Sequence, residues 1–359
     1  GVIIINTKTG KPGQTKVEFN NSFGMGKATT GSFRLMNSQE LYDFQNTFYN
    51  RDAKLLENNT NWWDLAFRTS YVNNHNLSIS GGSEKVQYYT SGVFYKELGT
   101  LQGTGNTGYN FRNNLNVQIT DRFKAAVYVN GLVNKNELEN SNTMYDAYTG
   151  LPFDPAYDAD GNPIDGRFYE GWTGREKEKF LHTLQYNYNR SKNWEVSGDL
   201  NLDYNVTSKL TLSSYNRIQL GNGASATYYD RRTKQGGANI GELYNGTDEY
   251  RRYLTSNRVR YAEQFGLHNL VLLGAAEVET TTSAWANTSG KGLPAGKDVM
   301  SVATGILQNP SGARDQVGFR KYLAQADYNF NDRYFLIGSF VNEFSSKFGK
   351  NNSTANFYQ

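Results

Sequence analysis

The sequence predicts an all-β protein, a transmembrane antiparallel β-barrel with about eleven strands in this chain. Three observations support that fold class. Segments of alternating apolar and polar residues recur along the chain, short and long links alternate between them, and aromatic residues are abundant in an otherwise polar composition. Strands that present one face to lipid and the other to a wet lumen produce such a sequence.

The composition fits neither a soluble multi-domain protein nor a disordered one. Hydrophobic residues make up 37% of the 359 residues, and the mean hydropathy is −0.69, which is too polar for several well-filled cores. Aromatic residues nevertheless reach 14%, with 26 Tyr and 20 Phe, so the chain is not a disordered one. No run of 18 apolar residues predicts a membrane-spanning helix, but a barrel strand needs only about 9–11 alternating residues.

Charge and cysteine content exclude several function classes. The formal net charge is +3, from 37 basic and 34 acidic residues, so no nucleic-acid partner is predicted. The absence of cysteine excludes disulfides, thiolate metal sites and thiol nucleophiles. The first five residues read as the middle of a strand and not as a signal peptide, so the sequence is expected to start inside a domain.

Alternation is clearest over residues 193–206. The face predicted to meet lipid carries apolar or small residues: Trp194, Val196, Gly198, Leu200, Leu202, Tyr204 and Val206. The face predicted to meet the lumen or a plug carries Asn193, Glu195, Ser197, Asp199, Asn201, Asp203 and Asn205. Further strands are predicted at 15–24, 75–82, 85–95, 110–120, 122–134, 209–220, 248–264, 268–281, 317–331 and 333–343.

The links between these segments form a second pattern. Short turns rich in Gly, Asn, Asp or Ser are predicted near 81–84, 120–122, 206–209, 265–268 and 331–333. Long connections are predicted at 25–74, 96–109, 135–192, 221–247, 282–316 and from 344 onward. Short periplasmic turns and long outer loops alternate in outer-membrane barrels. This alternation of short and long links requires residues 179–190 to belong to the third long connection.

One helix is predicted inside the first long connection. Asn37 and Glu40 have the spacing of a capping box, and Leu41, Phe44 and Phe48 follow at helical spacing. We expect the helix to pack one apolar stripe on residues of the same loop.

Several segments resemble the SusC/RagA-like TonB-dependent transporters of Bacteroidota outer membranes. They are GVIIINTKTGK at 1–11, NWWDLAFRT at 61–69, NHNLSISGG at 74–82, YLAQADY at 322–328, DRY at 332–334 and SSKFG at 345–349. The matches run in family order from one end of the chain almost to the other. The chain departs from the family at 341–344, where VNEF stands in place of a segment resembling Arg-Asp-Gly.

The resemblance implies a plugged barrel of about 22 strands, of which this chain would supply about half. Residues 1–14 would be the end of the plug domain and a linker, and residues 15–359 the first half of the barrel. The implied function is TonB-dependent import of a large nutrient, an oligosaccharide or an oligopeptide, across the outer membrane. A SusD-like surface lipoprotein, TonB (through a plug segment absent from this chain) and outer-membrane lipid are the implied partners, with a dimer of transporter–lipoprotein pairs left open.

The alternative is a surface adhesin or another structural β-rich protein without transport activity. That protein would bury the face containing Leu200 and Leu202 against a second sheet. Catalysis, cofactors and metals are not expected under either hypothesis. The three histidines lack zinc spacing, residues 158–162 fail the EF-hand register and predict a polar turn, and no helix follows the glycines of 103–108 to bind phosphate.

Aromatic residues of the long loops are the candidates for contact with a ligand or a partner: Tyr145, Tyr148, Tyr157, Trp172, Tyr228 and Tyr229. Ring faces stack on sugar or peptide surfaces, and tyrosine hydroxyls add hydrogen bonds. The competing interpretation is that these rings pack the loops together. For Trp62 and Trp63 we expect packing, because they belong to the segment shared with the resembling family.

Overall fold

The computed structural model describes residues 8–349 and 351–359. Thirteen strands form one antiparallel sheet. The strands are β1 Gly13–Gly26, β2 Ser70–Gly82, β3 Val86–Leu98, β4 Gly105–Thr120, β5 Phe123–Leu138, β6 Tyr188–Asn205, β7 Leu210–Tyr229, β8 Glu242–Phe265, β9 His268–Lys291, β10 Gly305–Ile306, β11 Ser311–Phe330, β12 Tyr334–Ser345 and β13 Thr354–Tyr358.

Helices are short and lie between strands. They are α1 Ser38–Asn46, α2 Trp62–Ala66, α3 Thr143–Thr149, α4 Phe180–Thr183 and α5 Lys234–Gly237, with 3-10 turns at Ala53–Glu57 and Met300–Val302. Within the described residues, none of the helices is long and apolar enough to cross a membrane.

The sheet follows chain order. Each strand pairs with the next along the chain, except that β9 pairs with β11 and the two-residue β10 extends the far end of β9. Among the described residues β1 and β13 are the two edges, so the sheet is open. All eleven predicted strands are confirmed, and the structure adds β10 and β13. The tail from 344, predicted to be a connection, instead returns as β13, whose five residues are too few for alternation to be recognised.

The two faces of the sheet have opposite character. On β6, Leu200 is 42% exposed and lies on the same face as the exposed Trp194 and Tyr204. On the other face Asp199 accepts a hydrogen bond from Arg217 at 2.5 Å. Apolar side chains are thus exposed while polar ones are bonded to each other, the reverse of a soluble fold. No second sheet covers the apolar face in the described part of the chain, as the adhesin alternative would require.

Short and long links fall at opposite ends of the sheet, as predicted. The segment 179–187 precedes β6, so it belongs to the third long connection. At the short end, Asn331 and Asp332 both adopt left-handed backbone conformations with φ of 51°, which Asn and Asp tolerate better than other non-glycine residues. We name the long links by their residues: loop 1 (27–69), loop 2 (99–104), loop 3 (139–187), loop 4 (230–241) and loop 5 (292–310).

The predicted helix is α1, and its capping box is present. The Asn37 side chain accepts from the Glu40 N–H at 2.9 Å, and the Glu40 carboxylate accepts from the Asn37 N–H at 3.0 Å. Arg34 donates to the same carboxylate at 2.7 Å. The Arg34 guanidinium and the Asn37 N–H together lower the pKa of Glu40 to about 2. The negative charge therefore persists at the helix N-terminus, where it stabilises the helix.

Of residues 1–14, predicted to be the end of the plug domain and a linker, only residues 8–14 are described. The described part of that segment rests on the sheet: the Asn114 amide donates to the Lys8 carbonyl at 2.6 Å. A Cβ atom at Gly10 would lie 2.3 Å from the Tyr88 carbonyl oxygen, so only glycine permits this close approach. β1 begins at Gly13, inside the predicted linker. The division into plug and barrel stays a prediction.

Opposite faces of β6 should respond differently to charge. We expect Leu200→Arg to lower the free energy of unfolding of the intact protein in lipid vesicles by about 2–4 kcal/mol, because it places a cation in hydrocarbon. Asn201→Arg should cost far less, because its side chain joins the polar face beside Asp199 and Asp203. A denaturant titration measures both, and equal losses would contradict the assignment of the two faces.

Candidate functional site

The long loops share two small buried cores at one end of the sheet. The first core joins loop 1 to loop 3 through Trp62, Ala66, Ala147, Ala156 and Phe180. The Trp62 indole donates to the Leu151 carbonyl at 2.9 Å, and its ring meets the Phe180 ring edge-on at 6.3 Å. The expectation that Trp62 packs the loops together is therefore confirmed.

A buried ion pair lies inside this first core. The Lys179 ammonium is 3.4 Å from Oδ1 of Asp146, and Oδ2 accepts from the Phe180 N–H at 2.7 Å. Lys179 also lies over the Trp62 ring at 5.7 Å. Burial raises the pKa of Asp146 from 3.8 to about 6, since removing water from the carboxylate outweighs attraction to a lysine held at this separation.

Asp154 closes the outer part of loop 3 on itself. Its buried carboxylate accepts from the Thr173 N–H at 2.6 Å, the Thr173 hydroxyl at 2.7 Å and the Gly174 N–H at 2.8 Å. The two ends of the segment 155–172 therefore lie next to each other. At its tip, the carboxylate of Asp158 accepts from the Asn162 N–H at 2.8 Å, which confirms the predicted polar turn.

An ionic cluster connects loop 3 to loop 4. Asp165, Glu178 and His182 each offer a ligand atom within 4.8 Å of the others, the arrangement a metal ion could use. Arg167, however, lies 2.6 Å from Asp165 and 3.1 Å from Glu178, so both carboxylates already pair with a guanidinium. Glu178 also accepts from the Lys234 N–H at 2.6 Å. The cluster is therefore explained as an ion-pair network between the two loops.

The second core packs loop 5 on the ends of β7 and β8, next to loop 4, around Tyr228, Leu243 and Leu293. Beside it the buried Asp230 carboxylate accepts from the Tyr228 hydroxyl at 2.9 Å and from the Gly296 N–H at 2.7 Å. Burial alone would raise the pKa of Asp230, but hydrogen bonds from Arg232, Gly296 and Tyr228 hold it well below its ordinary value. This carboxylate stays ionised and ties the two loops together.

The structure separates the six predicted aromatic residues into two groups. Tyr145, Tyr148 and Tyr157 have exposed side chains, with Tyr145 51% accessible. Trp172 packs on Trp62 with 6.3 Å between ring centroids. Tyr228 is only 2% exposed, and Tyr229 meets the Tyr244 ring edge-on at 6.4 Å. The positions of these side chains do not test contact with a ligand or a partner, so that role stays a prediction for all six residues.

A cleft that the sequence analysis missed lies between loops 1 and 3. It encloses about 420 Å³. Its walls include Thr30, Arg34, Asn61, Trp63 and Gly150. Tyr148 stands beside it, 5.4 Å from the Trp63 ring and 6.0 Å from the Phe33 ring between centroids. Residues from two loops more than 80 positions apart in the sequence form this cleft, and no local pattern announces such a meeting.

The ion pair makes the order of loop 3 dependent on pH. Burial favours the protonated form of Asp146. The stability that the protonated carboxyl gives loop 3 is therefore greatest below about pH 4 and is lost as the pH rises through about 6. We expect Lys179→Met to loosen loop 3 strongly at pH 7.5, by about 3–5 kcal/mol, because it leaves the carboxylate unpaired. The loss should be smaller at pH 5, where the carboxyl is protonated.

Limited proteolysis of loop 3 in the intact protein measures that loosening. Lys177→Met is the matched control, because Lys177 is exposed and two residues away. Equal cleavage of the Lys179 and Lys177 variants at pH 7.5 would contradict a structural role for the pair.

Comparison with known proteins agrees with the fold and the family resemblance. No family model matches the chain. A TonB-dependent receptor of Formosa agariphila is 23% identical over 380 aligned residues, covering 99% of the chain and 36% of that receptor. A second receptor of the same organism is 24% identical over 373 residues, covering 94% of the chain and 35% of the receptor. The chain thus spans about a third of the length of these curated relatives.

A shorter alignment with another receptor has a higher sequence identity. The TonB-dependent receptor SusC of Bacteroides thetaiotaomicron is 36% identical over 94 residues, which cover 25% of the chain and 9% of SusC. Among solved structures, the RagAB peptide transporter superposes with a TM-score of 0.78 at 19% identity, covering 98% of the chain and 44% of the matched chain. The same importer in its "closed-closed" state gives a TM-score of 0.80.

The sequence matches and the superposition concern nearly the whole chain and agree with the open sheet of chain-order strands. In sequence and in fold, the chain is similar to a segment of a SusC-like TonB-dependent receptor.

Proposed function

We propose that the chain is part of an outer-membrane transporter that imports a large nutrient, an oligosaccharide or an oligopeptide, in a TonB-dependent manner and without catalysis. The observation that carries this proposal is the reversed character of the sheet. Apolar side chains such as Leu200 are exposed on one face, and ionised ones such as Asp199 and Arg217 bond to each other on the other. Lipid outside and water inside satisfy both faces.

We also propose a division of the chain. Residues 1–14 would end a plug domain and link it to the wall, and residues 15–359 would form half of the barrel. The contact of Lys8 with Asn114 supports this division, because it brings the segment before β1 onto the wall. The outer membrane has no ATP supply, so transport through a plugged barrel needs energy delivered mechanically by TonB through another part of the plug.

A SusD-like surface lipoprotein is the proposed partner on the outer side, and two transporter–lipoprotein pairs are the proposed assembly. The loop layer supports such a partner, because loops 1 and 3 expose large apolar side chains together. They include Phe33, Phe44, Phe48, Tyr49, Tyr145 and Tyr148. Exposed apolar patches with polar rims mark interaction sites.

Ligand contact is assigned to the exposed rings of loop 3. Tyr145, Tyr148 and Tyr157 can stack on a sugar ring or on an apolar peptide side chain, and their hydroxyls can bond either. The adjacent cleft of about 420 Å³ adds amide and hydroxyl groups from Asn61 and Thr30. RagAB is a peptide transporter, which makes an oligopeptide one candidate for this receptor. The chemistry of the rings suits oligosaccharides equally.

Extraction from membranes distinguishes the transporter from the structural-protein alternative. A transporter stays with the outer membrane until detergent is added, and a surface adhesin without a membrane-spanning sheet does not. The apolar face of β6 favours the transporter, since no described element covers it.

Deleting residues 155–172 tests the role of loop 3. Oδ1 of Asp154 and the backbone nitrogen of Thr173 lie 2.6 Å apart, so the deletion joins two neighbouring points. We expect the full-length receptor to remain folded and heat-modifiable in gels, because β5 and β6 are untouched. We expect growth on the polysaccharide or peptide that the receptor imports to be abolished, because Tyr157 and the ionic contacts of Asp165 and Arg167 are lost.

A smaller change is the matched control. Replacing residues 158–162 by Asn-Gly removes only the tip and retains the bridge between Tyr157 and Pro163. Growth should survive this change. Co-purification of the lipoprotein with the deletion variant separates a ligand role from a partner role. Normal growth and normal co-purification after the larger deletion would show that residues 155–172 are needed neither for ligand contact nor for lipoprotein contact.

A further inference from the structure

Three lysines form one row across the lipid-facing side of the sheet, close to the long loops. Lys135 of β5 pairs directly with Lys192 of β6 in the strand register. Lys96 of β3 and Lys135 both pair with Thr107 of β4, so Lys96 belongs to the same row. The period of two residues puts this row on the same face as the exposed Trp194 of β6. We call Lys96, Lys135 and Lys192 the lysine row.

The lysine row lacks a counter-charge. All three side chains are exposed, and within the described residues none of their ammonium groups makes an ion pair or a hydrogen bond. Like charges directly opposite each other on neighbouring strands destabilise a sheet, because their Cβ atoms are only about 4.5–5.5 Å apart. The one acidic residue on this face of β3 to β6 is Glu137, which lies opposite Arg190. Arg190 also pairs with Asp298 of loop 5 at 3.3 Å. A bound anion would remove the repulsion within the row.

An apolar groove runs down the wall next to the lysine row, on the side toward the short turns. It encloses about 710 Å³. Phe94, Tyr109 and Trp194 lie two residues from the row along their strands, and Gly92 and Gly131 lie two residues farther. All five line the groove. A Cβ atom at Gly92 would have nothing within 4 Å, so the glycines leave room for a chain to lie on the wall.

The order of these rows follows the depth profile of a lipid layer. Aromatic residues such as Tyr109 and Trp194 form the girdle at which hydrocarbon meets head groups. The lysine row is about 7 Å farther toward the long loops, at head-group depth, and the glycines lie at the depth of acyl chains. Long loops are on the outer side of such barrels. The outer leaflet there consists of lipopolysaccharide, a glycolipid with phosphate groups and several acyl chains.

We propose that the lysine row and the groove together bind one molecule of lipopolysaccharide. Lys135 and Lys192 hold a phosphate group between them, because an ammonium donates charge-assisted hydrogen bonds to phosphate oxygens. Lys96 lies two strand spacings, or about 10 Å, from Lys135 and reaches a second anionic group of the same head group. An acyl chain fills the groove over Gly92 and Gly131. This inference rests on the proposed function only in placing this face in the outer membrane with the long loops outside.

Binding of fluorescent lipopolysaccharide tests the lysines. The full-length receptor, with any lipoprotein that co-purifies, is freed of bound lipid in detergent and then titrated. We expect Lys135→Gln/Lys192→Gln to bind about thirtyfold more weakly than the unsubstituted receptor, because two cations at a lipid head group are lost. Lys85→Gln/Lys124→Gln is the matched control, because it removes two exposed lysines at the short-turn end of the sheet.

A second pair of variants tests the groove. Gly92→Phe fills the groove without changing charge, and we expect about tenfold weaker binding, since the acyl chain loses contact with the wall. Gly338→Phe is its control, because a Cβ atom at Gly338 of β12 also meets nothing within 4 Å. Both receptors should remain heat-modifiable in gels, because phenylalanine is favoured in lipid.

Three further probes separate lipopolysaccharide from other sources of phosphate. We expect dephosphorylated lipopolysaccharide to bind the unsubstituted receptor as weakly as the intact lipid binds the Lys135/Lys192 variant. Phosphatidylglycerol and inorganic phosphate should compete poorly. Equal affinity for phosphatidylglycerol, or displacement by inorganic phosphate, would overturn the proposal. Unchanged binding in the lysine or Gly92 variants, or equal losses in their controls, would overturn it as well.

Receptor-dependent growth, measured separately with the unsubstituted protein, distinguishes this inference from the proposed function. Normal growth without lysine-dependent binding of lipopolysaccharide would overturn this inference and leave the proposed function standing. Lysine-dependent binding by a receptor that supports no growth would have the opposite meaning.

Discussion

Backbone hydrogen bonding in lipid is the constraint on which the whole structure depends. Hydrocarbon offers no partner for an N–H or a C=O group, so each membrane strand must lie between two neighbours. Chain-order pairing of antiparallel strands meets this demand with the shortest turns, and every strand on the path between the edges β1 and β13 has two neighbours. Side-chain character then follows from the pleat, since successive residues face lipid and lumen in turn.

The loops satisfy their buried backbone groups by other means, because they lie beyond the sheet and lack a ladder. Buried carboxylates organise them: Asp146 accepts from Phe180, Asp154 from Thr173 and Gly174, and Asp230 from Gly296. Each carboxylate joins segments 19 to 66 positions apart. Ordering a long loop costs about 1–2 kcal/mol per residue in backbone entropy. Such contacts, with the rings of Trp62 and Phe180, offset that cost and hold the exposed tyrosines in defined positions.

Sequence reasoning succeeded where the pattern is local and failed where contacts are distant. Alternation located eleven strands, and the spacing of Asn37 and Glu40 located α1, because both signals lie within a few neighbouring residues. β7 was expected to end near 220 but continues to Tyr229, since Asn222 interrupts the apolar face without interrupting pairing. Tyr228 therefore looked like a loop residue. The pairing of Asp146 with Lys179 leaves no mark in either segment, so the loop cores could not be predicted.

The length of the strands connects the wall to the loops. β8 and β9 have 24 residues each, whereas crossing the membrane takes about 9–11 tilted residues. The excess extends the sheet beyond the lipid, where β10 and loop 5 add to β9. A ligand meeting the loop layer thus meets a surface supported by continuous strands and not by flexible stalks. Rigid support reduces the entropy lost on binding, so the same hydrogen-bond ladder that the membrane requires would also preorganise the aromatic residues above it for the ligand contact proposed for them.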